Sequence, residues 1–380
     1  MSGNDSSGRS RTRPAAWNRR ALLGAAALGG AVTALPGQGS TAAGPAAYRR
    51  ISCEEAFTTA EIVEASRAVA HGVPSMRSGP IAGPILPPLL DVGAGRIADM
   101  DAAGVDIQIL SLTAPGVQHL EKGLAVALMR STNDYIAATI RAHPTRYTGL
   151  AVMAPQDPAA TAVELDRAVR TLGLRGGIIN SHTAGEYLDE PKFWPMLEAA
   201  QALDVPIYLH PRDPAPDLSG SMLPGFAVGW GYGVEVGTHV LRLIGAGVLD
   251  RFPRLRIVIG HMGETIPVLL DRIDNRYLWE TGLFNRPRLA RLPSEYFRTH
   301  FWVTTSGMNY PAPLVATIAQ LGIDRVIFAA DYPLESERDA VREMNAMPIA
   351  DEDKRKICDT NPALVFGLDR GLPGSTKQEP

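Results

Sequence analysis

Ionisable and hydrogen-bonding residues follow several short apolar runs of this sequence, each where a predicted strand ends. They are Glu54-Glu55, Asn180-Ser181-His182, His210, His261 and Asp331. A single histidine behind a strand is more often structural than catalytic, but here the pattern recurs behind five of eight predicted strands. Carboxylates and imidazoles bind divalent metal ions and transfer protons. The pattern therefore predicts a metal-dependent enzyme, provided that the fold brings these residues together.

Short apolar runs alternate along the chain with segments of helical periodicity, such as Ala159–Leu172. These elements must position the polar residues. The predicted strands are Arg49–Cys53, Asp106–Leu112, Tyr147–Met153, Gly176–Asn180, Pro206–Leu209, Arg256–Ile259, Phe301–Thr304 and Arg325–Ala329. This alternation is typical of an α/β fold with repeated βα units. Eight units predict a (β/α)8 TIM barrel, in which the carboxyl ends of the strands meet at one mouth. His71–Pro88, Pro211–Gly233 and Gly282–Thr299 are interpreted as loop insertions.

The composition limits the classes of function. A chain of 380 residues with 45% hydrophobic content can form one barrel with insertions, here assigned to residues 46–370, with a frayed polar tail at 371–380. The net charge of −3 gives no electrostatic case for binding nucleic acid or an anionic membrane. Two cysteines, Cys53 and Cys358, cannot form a disulfide framework or a cysteine metal cluster, and we expect free, buried thiols.

The first 45 residues differ from the rest and are interpreted as an export signal. Arg19-Arg20 precede an apolar run from Ala21 to Leu35, and small residues follow at 40–43. The segment resembles a twin-arginine signal, and its apolar run is too short and glycine-rich for a stable membrane span. A disordered basic tail is the alternative, and without a functional signal the protein would be cytoplasmic.

Five motifs that follow one another along the chain carry a family resemblance. They are Ile51-Ser52-Cys53-Glu54-Glu55-Ala56-Phe57, Asn180-Ser181-His182-Thr183, Tyr208-Leu209-His210-Pro211, Gly260-His261-Met262-Gly263-Glu264 and Ala330-Asp331-Tyr332-Pro333. The series resembles the decarboxylase branch of the amidohydrolase superfamily, with 5-carboxyvanillate decarboxylases nearest and γ-resorcylate and aminocarboxymuconate semialdehyde decarboxylases further off. The resemblance spans about residues 49 to 368. It implies a barrel of the metal-dependent hydrolase type that decarboxylates a hydroxylated aromatic carboxylic acid without oxidation.

The resemblance also implies the ligands of one divalent metal ion. The family's carboxylate on strand one, histidine on strand five and aspartate on strand eight correspond to Glu54, His210 and Asp331. Many superfamily members carry a histidine two residues after the first ligand, whereas this chain has Ala56 and resembles the vanillate-type branch. Two carboxylates with one imidazole favour Mn²⁺, with Zn²⁺ as the alternative.

Further roles follow from the same resemblance. His261 would reach the pocket beside the metal, Glu264 would fix the tautomer of His261, and Asp331 would donate a proton as well as bind the ion. The candidate substrate contacts are Arg272, Tyr232, His182 and Arg77. We expect a small aromatic acid as the substrate and a homo-oligomer, either a dimer or a tetramer.

Two other functions remain open at this point. The same barrel and ion could activate water against an amide or a lactone. Alanine at position 56 and the order of the decarboxylase motifs argue against such a hydrolase. A non-catalytic exported binding protein is the second alternative, and the joint retention of metal-site and proton-transfer residues argues against it.

Overall fold

The computed structural model describes residues 48–69 and 83–369. The predicted export signal, Arg77 and the predicted tail 371–380 lie outside the described residues. Among the helices of those two ranges, none is long and apolar enough to cross a membrane. The structure describes one chain, so the expected homo-oligomer stays a prediction.

The strands are all parallel and pair in chain order. They are β1 (Ile51–Phe57), β2 (Ile107–Leu112), β3 (Tyr147–Gly149), β4 (Ala151–Val152), β5 (Gly177–Asn180), β6 (Ile207–His210), β7 (Ile257–Ile259), β8 (Phe301–Thr304) and β9 (Val326–Ile327). Pairing runs from β1 to β3 and from β4 to β9. Each predicted strand is found, and only the third is divided, into β3 and β4.

Two backbone hydrogen bonds connect the paired groups of strands into one barrel. Leu150, between β3 and β4, donates its N–H to Leu110 O of β2 at 2.9 Å, so the two short strands continue one another. Cys53 of β1 donates its N–H to Phe328 O, directly after β9, at 3.2 Å. The last strand thereby joins the first, and the predicted (β/α)8 barrel is confirmed.

Helices cover the outer face of the strands. They are α1 (Ala60–Val69), α2 (Leu86–Leu90), α3 (Ala94–Ala103), α4 (Lys122–Ala142), α5 (Pro158–Arg170), α6 (Trp194–Ala202), α7 (Tyr232–Gly245), α8 (Val248–Arg251), α9 (Ile266–Leu283), α10 (Pro293–His300), α11 (Pro311–Leu321), α12 (Glu337–Ala346), α13 (Asp351–Arg355) and α14 (Asn361–Val365). The helix predicted at Ala159–Leu172 is confirmed as α5, whose first turn is capped by the carboxylate of Asp157.

The core forms two layers, one on each side of the strands. The inner layer contains the buried strand residues Ile51, Cys53, Ile109, Ile178, Tyr208, Val258 and Ile327. Among the helices α14 is an exception, because its Ala363 and Val365 belong to this inner layer. The outer layer lies between strands and helices and is larger. Successive side chains of a strand point to opposite faces, so a strand covered on both faces must be apolar nearly throughout. Cys53 and Cys358 are both buried and free, as expected.

β1 differs from the prediction in a way that matters for function. The predicted strand ended at Cys53, with Glu54 and Glu55 behind it, but both glutamates lie inside β1. From Ser52 to Glu55, β1 advances three residues while its partner β2 advances two, so β1 contains a β-bulge. The extra residue interrupts the alternation of side chains at this point, and the two glutamates make separate sets of contacts.

A buried asparagine of α4 supports the strand that follows the division between β3 and β4. Asn133 is fully buried, and its Oδ1 accepts the N–H of Val152 at 2.7 Å. Its Nδ2 donates to Glu164 Oε1 of α5 at 3.0 Å. One side chain therefore connects β4 with two covering helices.

We predict that Asn133→Ala lowers the free energy of unfolding by about 1–3 kcal/mol, because a buried N–H and a buried carboxylate each lose a hydrogen bond. Urea denaturation measures the change. Asn275→Ala is the matched control, since Asn275 is exposed on α9 and bonds only its neighbour Arg276. The control should change stability by less than about 0.5 kcal/mol. Equal losses in both variants would show that the buried contacts of Asn133 are unimportant.

Candidate active site

Glu54, His210 and Asp331 meet at the mouth formed by the carboxyl ends of the strands. One potential ligand atom from each residue lies within 4.8 Å of the other two. His210 Nε2 is 3.5 Å from Glu54 Oε1. The three side chains are buried, with exposed fractions of 1% for Glu54 and 8% for His210 and Asp331. The structure thus brings together the three residues that the sequence predicts as metal ligands.

Two oxygens of this cluster lack a hydrogen-bond partner among the described residues. They are Glu54 Oε1 and Asp331 Oδ1, and both are buried. A buried anionic oxygen without a donor is unfavourable, and a bound cation would offset that cost. Two carboxylates and one imidazole provide the donor set of a moderately hard divalent ion. The residues present therefore fit the ion that the sequence implies.

The second oxygen of Glu54 is fixed by hydroxyl groups at the end of β8. Glu54 Oε2 accepts a hydrogen bond from Thr304 Oγ1 at 2.9 Å and another from Ser306 Oγ. Gly260 packs against the same carboxylate, because a Cβ at this position would lie 2.7 Å from Glu54 Oε1. The sequence analysis did not identify Thr304 or Ser306. Their position at the end of a predicted strand was the available signal.

His210 has the tautomer and the charge state that suit a metal ligand. Its Nδ1 lies 2.7 Å from the carbonyl oxygen of Pro211, so an N–H at Nδ1 leaves Nε2 free to bind a cation. Burial lowers the pKa of His210, although the charge of Glu54 raises it. The neutral imidazole, which is the form that binds metal ions, is favoured.

His261 lies in a left-handed turn directly after β7. Residues 261–265 all have positive φ, between 49° and 82°. Each non-glycine residue in this region costs roughly 1–2 kcal/mol, and such backbone strain is concentrated at functional sites. The turn places His261 Nδ1 2.7 Å from Glu264 Oε1, while Nε2 is 3.9 Å from both Glu54 Oε1 and Asp331 Oδ2. Glu264 thus contacts His261 as the sequence predicts.

These ionisable groups shift one another's pKa. Burial raises the pKa of Asp331 to about 7; the nearby imidazole of His261 opposes this effect and the charge of Glu54 adds to it. Burial lowers the pKa of His261, but the charges of Glu264 and Glu54 outweigh it and raise that pKa well above its ordinary value. Burial raises the pKa of Glu54, but His261 and His210 reverse the effect, so the pKa is lowered. The site therefore combines a carboxyl group that can take up a proton with a cationic imidazole.

The four predicted substrate contacts are placed differently from the metal-site residues. Both ring nitrogens of His182 form hydrogen bonds with backbone groups. Nε2 lies 3.0 Å from the carbonyl oxygen of Asp213, and Nδ1 accepts the N–H of Gly185 at 3.1 Å. Tyr232 donates its hydroxyl to Asp213 Oδ1 at 3.3 Å. Arg272 is exposed on α9, and Arg77 lies outside the described residues. His182 and Tyr232 thus both contact Asp213, whereas Arg272 contacts neither of them, and the contacts of all four residues with substrate stay predictions.

Comparison with known proteins identifies the family of this fold and site. The amidohydrolase family model matches residues 88–368. A γ-resorcylate decarboxylase from Polaromonas sp. (strain JS666) is 35% identical over 334 residues, which cover 84% of this chain and 99% of that protein. The crystal structure of 5-carboxyvanillate decarboxylase from Sphingomonas paucimobilis is 40% identical, with a TM-score of 0.81 over 84% of this chain and 99% of the other.

A second solved structure connects this similarity to a metal ion. It is a 5-carboxyvanillate decarboxylase from Novosphingobium aromaticivorans, in complex with manganese and 4-hydroxy-3-methoxy-5-nitrobenzoic acid. Its identity to this chain is 38% and the TM-score is 0.80, over 85% of this chain and 97% of the other. Manganese is also the ion favoured by the donor set of Glu54, His210 and Asp331. This chain therefore belongs to the amidohydrolase family, in the decarboxylase branch that its motifs resemble.

Proposed function

We propose that this protein is a metal-dependent, non-oxidative decarboxylase of a hydroxylated aromatic carboxylic acid. The observation that carries the proposal is the buried convergence of Glu54, His210 and Asp331, in which two carboxylate oxygens lack donors among the described residues. The similarity to γ-resorcylate and 5-carboxyvanillate decarboxylases supports the class of substrate. The protein is then a carboxy-lyase of the amidohydrolase superfamily.

The chemistry of the reaction sets two requirements for the substrate and the site. Direct loss of CO2 from an aromatic ring would leave an aryl carbanion, so the ring carbon that carries the carboxylate must first take up a proton. The bond to the carboxylate then breaks, CO2 leaves, and the electron pair of that bond restores the aromatic ring. A hydroxyl group ortho or para to this carbon makes it easier to protonate. We therefore expect substrates with a hydroxyl in one of these positions.

The site residues can meet both requirements. A divalent ion held by Glu54, His210 and Asp331 would bind acidic oxygens of the substrate, orient the ring and stabilise negative charge. Asp331 is the proposed proton donor, and its Oδ2 lies 3.9 Å from His261 Nε2. Glu264 holds Nδ1 of His261, so Nε2 faces Asp331 and can return a proton to it between turnovers.

The metal assignment predicts that Glu54→Gln, His210→Ala and Asp331→Asn each weaken Mn²⁺ binding by at least about tenfold, the scale on which even indirect contacts affect metal affinity. Titration of metal-free protein with Mn²⁺, followed by elemental analysis, measures the effect. His143→Ala is the control, since His143 follows α4 and precedes β3, at the end of the barrel away from the mouth. If all three variants bind Mn²⁺ as the parent protein does, the ligand set is wrong.

The proton-transfer assignment predicts that Asp331→Asn lowers the turnover number by at least about 100-fold even when saturated with Mn²⁺, because an amide cannot donate as a carboxylic acid does. His261→Asn should lower turnover with a smaller effect on Mn²⁺ binding.

In D2O, 2,6-dihydroxybenzoate or 5-carboxyvanillate should gain one deuterium at the carbon that lost CO2, whereas 3-hydroxybenzoate should not react. Preferred substrates that release no CO2 and gain oxygen from water would instead indicate a hydrolase.

We further propose that the protein is exported, which rests on Arg19-Arg20 before the apolar run from Ala21 to Leu35. A combined Arg19→Lys and Arg20→Lys change should leave the protein inside the cell with an uncleaved N-terminus, because the paired arginines are the proposed recognition element. Cell fractionation with N-terminal sequencing measures this. Arg11→Lys with Arg13→Lys, a matched change outside the pair, should be exported normally. Normal secretion of the first double variant would refute export by this route.

A further inference from the structure

The carboxylate of Glu55 spans the backbone on both sides of Asp331. Glu55 is fully buried, and its Oε1 accepts the N–H of Ala330 at 3.1 Å. Its Oε2 accepts the N–H of Tyr332 at 3.0 Å. Ser52 Oγ donates a further hydrogen bond to Oε1. The N–H groups of the residues before and after Asp331 therefore both donate to one side chain.

Asp331 has a conformation that needs such support. Its φ of 71° lies in the left-handed region, which residues other than glycine seldom adopt. Within the described ranges, its Oδ1 has no hydrogen-bond partner, and its Oδ2 is 3.9 Å from His261 Nε2. The direction of this carboxylate is consequently set by the backbone conformation of Asp331.

Arg96 places a positive charge beside Glu55. It is fully buried, and its Nη2 donates to the carbonyl oxygens of Ala56 at 2.5 Å and Pro88 at 3.1 Å. Its guanidinium carbon lies 4.9 Å from the centre of the Tyr332 ring. Burial raises the pKa of Glu55, while the hydrogen bonds from Ser52, Ala330 and Tyr332 and the charge of Arg96 oppose this effect.

We propose that Glu55 is a positioning residue, which holds Asp331 in its left-handed conformation so that the Asp331 carboxylate faces Glu54 and His210. The inference rests on the proposed function, in which Asp331 is both a metal ligand and a proton donor. Glu55 acts through the backbone, because its hydrogen bonds are to Ser52 and to the two N–H groups next to Asp331. The adjacent Glu54 has other partners, because its Oε2 accepts hydrogen bonds from Thr304 and Ser306.

Two substitutions at Glu55 separate geometry from charge. Glu55→Gln keeps the size of the side chain but replaces one acceptor oxygen with an NH2 group, which cannot accept the second N–H. This variant should bind Mn²⁺ about 10- to 100-fold more weakly than the parent protein. Electron paramagnetic resonance of the free ion, during titration of metal-free protein, measures the binding. Glu55→Asp should weaken binding similarly, because the shorter carboxylate cannot reach both N–H groups. Parent-like binding by Glu55→Asp would show that charge alone matters and would overturn the proposal.

Glu337→Gln is the matched control from the same buried network. Glu337 is buried and accepts a hydrogen bond from Gln108 Nε2 at 2.6 Å, while Gln108 Oε1 contacts Arg96. Burial and the charge of Glu55 raise the pKa of Glu337 to about 8, so the change replaces a neutral acid with a neutral amide at pH 7. Its Mn²⁺ affinity should stay within about twofold of the parent value. A loss as large as that of Glu55→Gln would assign the effect to the whole network and contradict the proposal.

A double-mutant cycle shows whether Glu55 acts through Asp331. In the Asp331→Asn background, Glu55→Gln should weaken Mn²⁺ binding by less than about twofold, whereas equal losses in both backgrounds would overturn the inference. If circular dichroism shows that Glu55→Gln does not fold, Ser52→Ala removes one donor to Glu55 and one acceptor of the Ala330 N–H. This change should weaken Mn²⁺ binding severalfold, and unchanged binding would contradict the proposal. These experiments measure Mn²⁺ binding and not turnover. If the parent protein released no CO2, that result would count against the proposed function but not against the role of Glu55.

Discussion

Mutual repulsion between the buried carboxylates of Glu54 and Asp331 is the constraint on which the rest of the site depends. The two groups share a small volume with His210, and each has one oxygen without a donor among the described residues. In a protein interior this repulsion is relieved when Asp331 takes up a proton or when a positive charge compensates both groups. His261 supplies part of that charge, and a divalent ion would supply more. The same demand explains the hydroxyl groups on Glu54 and the close approach of Gly260.

Irregular backbone at the mouth of the barrel positions the charged side chains of this site. β1 contains a bulge, the segment after β7 is a left-handed turn, and Asp331 itself has a positive φ. Regular strands with buried residues on both faces support each of these irregular segments. A strained backbone conformation persists only where the surrounding structure holds it in place. Here it directs the side chains of His261 and Asp331 toward the same site. Backbone strain thus occurs at the candidate catalytic groups, although Asp204 and Asn285 also have positive φ away from the site.

The sequence predicted the fold and the mouth of the barrel for identifiable physical reasons, whereas the choice of Glu54, His210 and Asp331 as metal ligands came from the family resemblance. Strands buried on both faces are continuous apolar runs, so their number and order could be read directly, and polar residues at their ends marked the mouth. The end of β1 was predicted wrongly because a bulge depends on pairing with β2, which local sequence does not contain. The hydroxyls of Thr304 and Ser306 were missed because small polar residues are common at strand ends. Loop geometry directs the ring nitrogens of His182 to backbone groups, which residue type alone did not indicate.

The central claim is that a single divalent ion occupies the space between Glu54, His210 and Asp331. Anomalous diffraction from crystals of the full chain grown with Mn²⁺, collected on both sides of the manganese absorption edge, tests it most directly. We expect one strong anomalous peak within bonding distance of Glu54 Oε1, His210 Nε2 and the carboxylate of Asp331. A peak bound by other residues, or ordered side chains at this site with no peak between them, would contradict it.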